Sequence, residues 1–179
     1  MVYMFLADGF EEVEALCPLD ILKRAGVEVT TVGIGRDVIR GAHGITVFAD
    51  IPDTMYRDSS PEMIILPGGM PGAANLDASR TVDAALRAAH RKGAFVAAIC
   101  AAPFVLGKRG MLEGKRAVCF PGFEGELNGC RVDGERTVVR DGNIITAKGM
   151  GAAFEFGLEL VRALRDDATA DKIKISVFG

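Results

Sequence analysis

Three separate stretches carry residue types able to do chemistry. They are Cys100 in "AAICAAP", Gly68 and Gly69 in "ILPGGMPGAAN", and Glu14 in "GFEEVEALCPLDILKRAG". Cys100 stands where a run of small apolar residues stops and a helix-forming segment begins. Ala101 and Ala102 are small enough for a tight turn, and Pro103 falls in a first helical turn, where its missing N–H costs little. A sharp strand-to-helix elbow exposes a nucleophile. A helix N-terminus beside the sulfur predicts a lowered thiol pKa, and the Ala101 N–H is placed to face an oxyanion. The other reading of Cys100 is a small hydrophobe filling the core. The cysteine alone does not choose between them.

Its neighbours bear on the choice. Gly68 and Gly69 permit a backbone path with positive φ and N–H groups free to face a ligand, although a plain strand-to-helix turn favours glycine too. On a helical wheel Glu14 shares a stripe with Phe10, Val13, Cys17, Ile21 and Ala25. A carboxylate in that stripe is buried, its pKa raised, and it can hold a proton for the sulfur. Alternatively, a bend at Pro18 lets Glu14 reach solvent. Glu11 and Glu12 fall outside the stripe, near the helix start, where acids suit the dipole. Leu16, Leu19 and Leu22 form a second apolar face suited to a partner. His90 ends a helix and reads as a surface residue. His43, in "GAHG", reaches a site only by loop packing or across an interface. Cys17 reads as core; Cys119 and Cys130 show no clear role in the sequence, Cys119 being a candidate second thiol near the site.

The elements that must position these residues alternate strand and helix. Val2–Leu6, 27–34, "EMIILP" and 94–99 read as strands, and the last two are continuously apolar, as strands covered on both faces are. Residues 11–25, 80–91, 101–109 and "AAFEFGLELVRALR" read as helices. "DVIRGAHGITVFAD" and "TVVRDGNIITA" read as hairpins, the second turning at Asp141–Gly142. The tail "DDATADKIKISVFG" is either a short helix or a loose end. This pattern predicts an α/β sandwich: a mostly parallel sheet with helices on both faces. Ligands in such sheets bind beyond the carboxyl ends of the strands. The acidic, glycine and cysteine loops each follow a strand, so all three emerge at one edge.

The composition narrows the function. With 179 residues the chain is expected to form one domain, residues 1–179. Its net charge of −3 and scattered bases give no reason to expect a nucleic-acid partner. No apolar run is long enough for a membrane span, and the start lacks the pattern of a secretory signal. Cys17, Cys100, Cys119 and Cys130 form no CxxC pair, and His43 and His90 lie far apart, so no metal site and no cofactor are expected. Free thiols suit a reducing cytoplasm.

Taken together, these motifs resemble the ThiJ/PfpI superfamily, in particular its Parkinson-disease protein deglycase branch and YajL-like bacterial members. The likeness runs through the acidic helix, "IILPGGMPGAANL", "AAICAAP" and "AKGMGAAFEFGLELV", and covers nearly the whole chain. It implies a flavodoxin-like, class I glutamine amidotransferase-like domain, usually a homodimer. It implies an oxidation-sensitive nucleophile at Cys100, a partner acid at Glu14, and backbone donors at Gly69 and Ala101, with Gly68 adjacent. Arg24 matches a family arginine. His43 stands where another family arginine is expected, and both are interface or pocket candidates. Phe120, in "AVCFPGF", replaces a histidine that some members carry, so no Cys–His–Glu triad is claimed. The implied activities are deglycase and glyoxalase chemistry on small reactive carbonyls or glycated adducts. The alternatives are a non-enzymatic oxidative-stress sensor or redox-regulated chaperone using the same cysteine, and an interaction protein with a vestigial pocket.

Overall fold

The computed structural model describes residues 1–57 and 60–179. Its strands and helices, in chain order, are β1 (Val2–Leu6), α1 (Glu12–Arg24), β2 (Val29–Gly33), β3 (Val38–Arg40), β4 (Thr46–Phe48), β5 (Ile51–Pro52), β6 (Met63–Leu66), α2 (Gly72–Ala78) and α3 (Arg80–Arg91). There follow β7 (Phe95–Ile99), α4 (Pro103–Gly107), β8 (Arg116–Ala117), β9 (Arg131–Val132), β10 (Val138–Asp141), β11 (Ile144–Ala147), α5 (Ala153–Leu164) and α6 (Asp167–Ser176).

The main sheet runs β10-β11-β7-β6-β1-β2-β5, and all its pairings are parallel except β10 with β11. The period-two geometry of strands divides the apolar runs between two cores. Tyr3, Phe5, Ile64, Leu66, Val96 and Ala98 face one core with α2, α3 and α4. Val2, Met4, Leu6, Met63, Ile65, Ala97 and Ile99 face the other with α1, α5 and α6. Both faces are covered, which is why these strands lack polar alternation. At the crossing of α1 and α5 a side chain on Gly157 would begin 2.8 Å from Ile21 Cδ1 and 3.0 Å from the Pro18 Cα, so only glycine admits this approach.

The structure adjusts several sequence expectations. The helix after Cys100 is short, Pro103–Gly107. The β10–β11 hairpin pairs Asp141 with Ile144, so its two-residue loop is Gly142–Asn143, with Gly142 at φ +62°. The tail forms α6, capped by Asp166, whose side chain accepts the Thr169 N–H at 2.7 Å, satisfying a donor that the helix itself leaves open. "DVIRGAHGITVFAD" is the β3–β4 hairpin, outside the main sheet. Val13 is 43% exposed although the wheel puts it in the buried stripe, and Glu12, expected outside, is 3% exposed. The second leucine face divides as well: Leu22 is buried, Leu19 half-buried and Leu16 exposed. Among the described residues no helix is long and apolar enough to cross a membrane.

Candidate active site

Cys100 follows β7 directly and adopts φ +64°. Left-handed backbone of this kind costs a side-chain-bearing residue about 1–2 kcal/mol. The surrounding elements hold it there. Its N–H donates to the Ala147 carbonyl at the end of β11 (2.9 Å), and its own carbonyl accepts the Phe120 N–H (2.8 Å). Immediately after it, the Ala102 N–H turns back to the Ile99 carbonyl (3.0 Å). With both backbone groups of the cysteine fixed from different elements, the turn is over-determined, as strained functional positions must be.

The three loops meet at this edge. The Glu11 N–H donates to the Gly68 carbonyl (2.9 Å), and the Gly72 N–H to the Gly9 carbonyl (3.1 Å), so the acidic and glycine loops are interlocked. A side chain on Gly68 would begin 2.5 Å from Cys100 Cβ, 2.5 Å from Glu14 Oε2 and 2.8 Å from the Ile99 carbonyl. Those contacts place Gly68 directly between the cysteine and the glutamate. Gly69 has φ +86°, and its amide and that of Ala101 face the Cys100 sulfur. A fourth loop joins them. Glu14 Oε1 lies 3.8 Å from where a side chain on Gly149 would begin, and the Phe120 ring, 48% exposed, is 3.3 Å from the same point.

Glu14 is 1% exposed, and α1 continues through Pro18 without releasing it to solvent. The Glu11 carboxylate caps the helix by accepting the Glu14 N–H at 2.7 Å. Among the described residues, Glu14 Oε2 is buried without a hydrogen-bond partner of normal geometry, although the thiol stands beside the carboxyl. A buried, unpaired carboxylate oxygen is expensive, and taking up a proton is the least costly remedy. Burial accordingly raises the Glu14 pKa to about 7. The Cys100 contact and the Gly68 amide pull it back in part, while the Glu11 charge adds to the rise.

Cys100 departs from the sequence expectation. Its pKa is not lowered but pushed up to about 12, by burial first and then by the charge and hydrogen bond of Glu14. The Gly69 and Ala101 amides oppose this without overcoming it. The five-residue α4 is too short a helix to outweigh desolvation. While Glu14 keeps its proton, the electrostatic part of the rise is absent, so the protonation of the two groups is linked.

The remaining candidates scatter. Arg24 sits at the far end of α1, paired with Asp20 at 2.6 Å, so the structure does not bring it to Cys100. Cys119 is buried in the core with α2–α4, opposite the layer on which Cys100 packs, and burial raises its pKa to about 11. Cys17 is half-buried beside the Cys100 layer. His90 is exposed in the last turn of α3. His43 meets the start of α1, its Nδ1 lying 2.8 Å from Glu12 Oε2 and 3.9 Å from Glu11 Oε1. Ligand-type atoms of Glu11, Glu12 and His43 all lie within 4.8 Å of one another, and Glu12 and His43 already pair there. Sequence reading missed Glu12 because its partners are 31 and 33 residues away. The one available signal was the glycine at 41, since a side chain there would overlap the Glu12 carboxyl.

A parallel α/β sheet of flavodoxin type, with a cysteine at a left-handed elbow beside a buried glutamate, defines a cysteine-elbow class of α/β protein. Within it, the chain belongs to the DJ-1/PfpI family, whose model matches residues 1–163. The crystal structure of Drosophila melanogaster DJ-1beta superposes with a TM-score of 0.95 at 31% identity, covering 99% of this chain and 96% of that one. The structure of oxidized DJ-1 from Toxoplasma gondii gives 0.92 at 33% identity, with 99% and 97% covered. A deglycase of Pyrococcus abyssi (strain GE5 / Orsay) is 32% identical over 166 residues, covering 92% of this chain and 99% of that protein. The flavodoxin-like fold and the family read from the motifs therefore stand, and with them a DJ-1-type stress-protective role.

Proposed function

We propose that this chain protects against reactive carbonyls as a cysteine-dependent deglycase or glyoxalase-type enzyme of low activity. The observation that carries this is Cys100, held at φ +64° beside the buried Oε2 of Glu14. The deglycase among its relatives adds support. The Cys100 sulfur attacks the aldehyde carbon of a glyoxal-type substrate. As the S–C bond forms, the carbonyl π pair moves onto oxygen, towards the Gly69 and Ala101 amides. Glu14 takes the thiol proton and passes it to that oxygen, giving a hemithioacetal. Glu14 then takes the carbinol C–H proton while the carbinol O–H proton passes to the neighbouring carbonyl oxygen by way of an enediol, and Glu14 returns its proton to that neighbouring carbon, leaving a 2-hydroxyacyl thioester. Water hydrolyses the thioester, releasing the 2-hydroxy acid and the free thiol. With an aminocarbinol adduct, the amine leaves with a proton from Glu14 as sulfur bonds to carbon.

A second reading has its own support. A high thiol pKa and Phe120 in place of a histidine favour slow turnover. Protonated Glu14 can donate a hydrogen bond to a Cys100 sulfinate and make it persist. Cys100 would then record oxidation, or switch a chaperone activity, without turnover. Two assays on one preparation separate the readings. Cys100→Ser is expected to abolish methylglyoxal consumption and adduct reversal, and full residual turnover in that variant would sink the enzymatic reading. Intact-mass analysis after mild peroxide is expected to place oxygen on Cys100. Oxygen on Cys119 or Cys130 with Cys100 reduced would sink the sensor reading.

We further propose that the chain forms a homodimer in the cytoplasm. Val13 and Leu16 on α1, and Ile45 and Phe48 on the hairpin packed over its first turn, are exposed apolar side chains, Phe48 to 78%. Exposed apolar side chains grouped in this way mark an interaction surface. Sedimentation is expected to give twice the 19.0 kDa chain mass, and Phe48→Glu to shift it towards one chain. A wild-type protein sedimenting as a monomer would remove the dimer from the proposal.

A further inference from the structure

Taking Cys100 and Glu14 as the reactive pair proposed above, we infer that Glu12 and His43 form a positioning pair. It clamps the β3–β4 hairpin onto the acidic loop, and thereby makes the cysteine site sensitive to pH.

Glu12 is the other buried carboxyl of α1, 3% exposed and too far round the helix to meet Cys100 from the Glu14 stripe. Beyond its own residue, its carboxylate bonds to the hairpin. Oε1 accepts the His43 N–H at 2.8 Å and the Ile45 N–H at 3.3 Å, while Oε2 meets His43 Nδ1 at 2.8 Å. The hairpin grips the loop at further points. The Gly9 N–H donates to the Arg40 carbonyl (2.8 Å) and the Ala42 N–H to the Phe10 carbonyl (2.8 Å). The Arg40 N–H donates to Asp8 Oδ1 (2.9 Å), and the Arg36 guanidinium pairs with the Asp8 carboxylate. Residues 8–12 are therefore held from outside by residues 36–45.

The same five residues hold the site from inside. Glu11 caps the amide of Glu14 and donates its own N–H to the Gly68 carbonyl, while Gly9 accepts from Gly72. Loosening the hairpin thus releases Glu11. Both the Glu14 carboxyl and the glycine loop that separates it from Cys100 then lose a constraint. Reacting groups displaced by about 1 Å can lose roughly a hundredfold in rate. Glu12 touches no reacting atom and acts only through this scaffold.

His43 supplies the pH dependence. The groups facing it are Glu12 and Glu11 from the start of α1, and the Arg40 guanidinium lies on the same hairpin, near Gly44. The Glu12 hydrogen bond and charge, helped by Glu11, raise the imidazole pKa above its ordinary value. A raised basic group contributes fully below its unfolded value, and its contribution is lost as pH rises through the folded value. The clamp is therefore tightest at mildly acidic pH and slackens as His43 loses its proton. The two backbone bonds to Glu12 Oε1 remain throughout.

The test is the rate of iodoacetamide alkylation of Cys100 against pH, with each variant compared to wild type. It needs no turnover. Loosening the site eases the burial and the Glu14 contact that hold the thiol proton, so the wild-type rate divided by that of His43→Ala is expected to lie below one below the His43 pKa and to rise to one above it. Glu12→Gln keeps an acceptor for the backbone N–H groups and loses the charge, so it should give the same pH-dependent ratio. Glu12→Ala loses the backbone bonds too, and its ratio should stay below one across the whole range. His43 is exposed, so His43→Ala should fold even if Glu12→Ala does not. Ratios that are flat with pH for both His43→Ala and Glu12→Gln would overturn the inference. If wild type lacks dicarbonyl turnover yet shows the pH-dependent ratios, the enzymatic reading fails and the clamp stands.

Discussion

Gly68→Ala is expected to separate Cys100 from Glu14 and to destabilise the fold. The added Cβ would begin 2.5 Å from Cys100 Cβ and 2.5 Å from Glu14 Oε2, with the Ile99 carbonyl 2.8 Å away. None of these can yield cheaply. Cys100 is fixed through both its backbone groups, Ile99 belongs to a central strand, and Glu14 is buried under the same loop. Gly68 does not lie in left-handed backbone, so the cost is steric alone. Overpacking of this kind costs about 1–3 kcal/mol, and more where backbone must move. Gly26→Ala is the control. Among the described residues nothing lies within 4 Å of its Cβ position, but its φ is +66°. It should cost only about 1–2 kcal/mol of backbone strain and leave the site untouched. Urea unfolding gives the stability, and iodoacetamide gives the state of Cys100. A Gly68→Ala protein with wild-type stability and a wild-type alkylation profile would show that the two side chains are not packed across this glycine.

Much of this was legible in sequence, for physical reasons that differ by element. Val2–Leu6 and Met63–Leu66 were readable because strands buried on both faces have no polar positions to disguise them. The elbow was readable because small residues and Pro103 are what a tight strand-to-helix turn demands. Glu14 was readable as an acid in an apolar stripe. Other features depend on packing that chain order conceals. Glu12 and Val13 exchanged their expected exposures because a hairpin some thirty residues away covers one side of α1 and leaves the other open. The sign of the Cys100 pKa shift was missed for a related reason. Position predicts a helix dipole, but desolvation depends on what surrounds the sulfur, and here a buried carboxyl adds its charge to the burial.

That carboxyl carries the second large prediction, Glu14→Gln. The Glu14 pKa rises from 4.5 to about 7 on folding, chiefly through burial. A carboxyl raised in the folded state contributes fully below its unfolded value, and stability is lost as pH climbs through the folded value. Wild type should therefore lose up to about 3 kcal/mol between pH 4.5 and a little above 7 on this account. Glutamine cannot ionise, so the variant should escape this loss. Its stability relative to wild type should climb across that window by the same amount, or roughly 6–12 °C in Tm. The Cys100 thiol should move the other way, since removing the Glu14 charge removes one cause of its elevation. It should titrate below about 12 yet above the ordinary 9.0, because burial persists. The variant would then hold a more easily ionised sulfur with no acid to move its proton. A fall in dicarbonyl turnover of roughly 10²–10⁴-fold, despite more thiolate, would assign Glu14 to proton transfer rather than to thiol activation. If the stability difference between variant and wild type stays level from pH 4 to pH 8, Glu14 titrates alike in the folded and unfolded chain and is ionised at neutral pH, and neither a shared proton nor a hydrogen bond to an oxidised sulfur can be drawn from it.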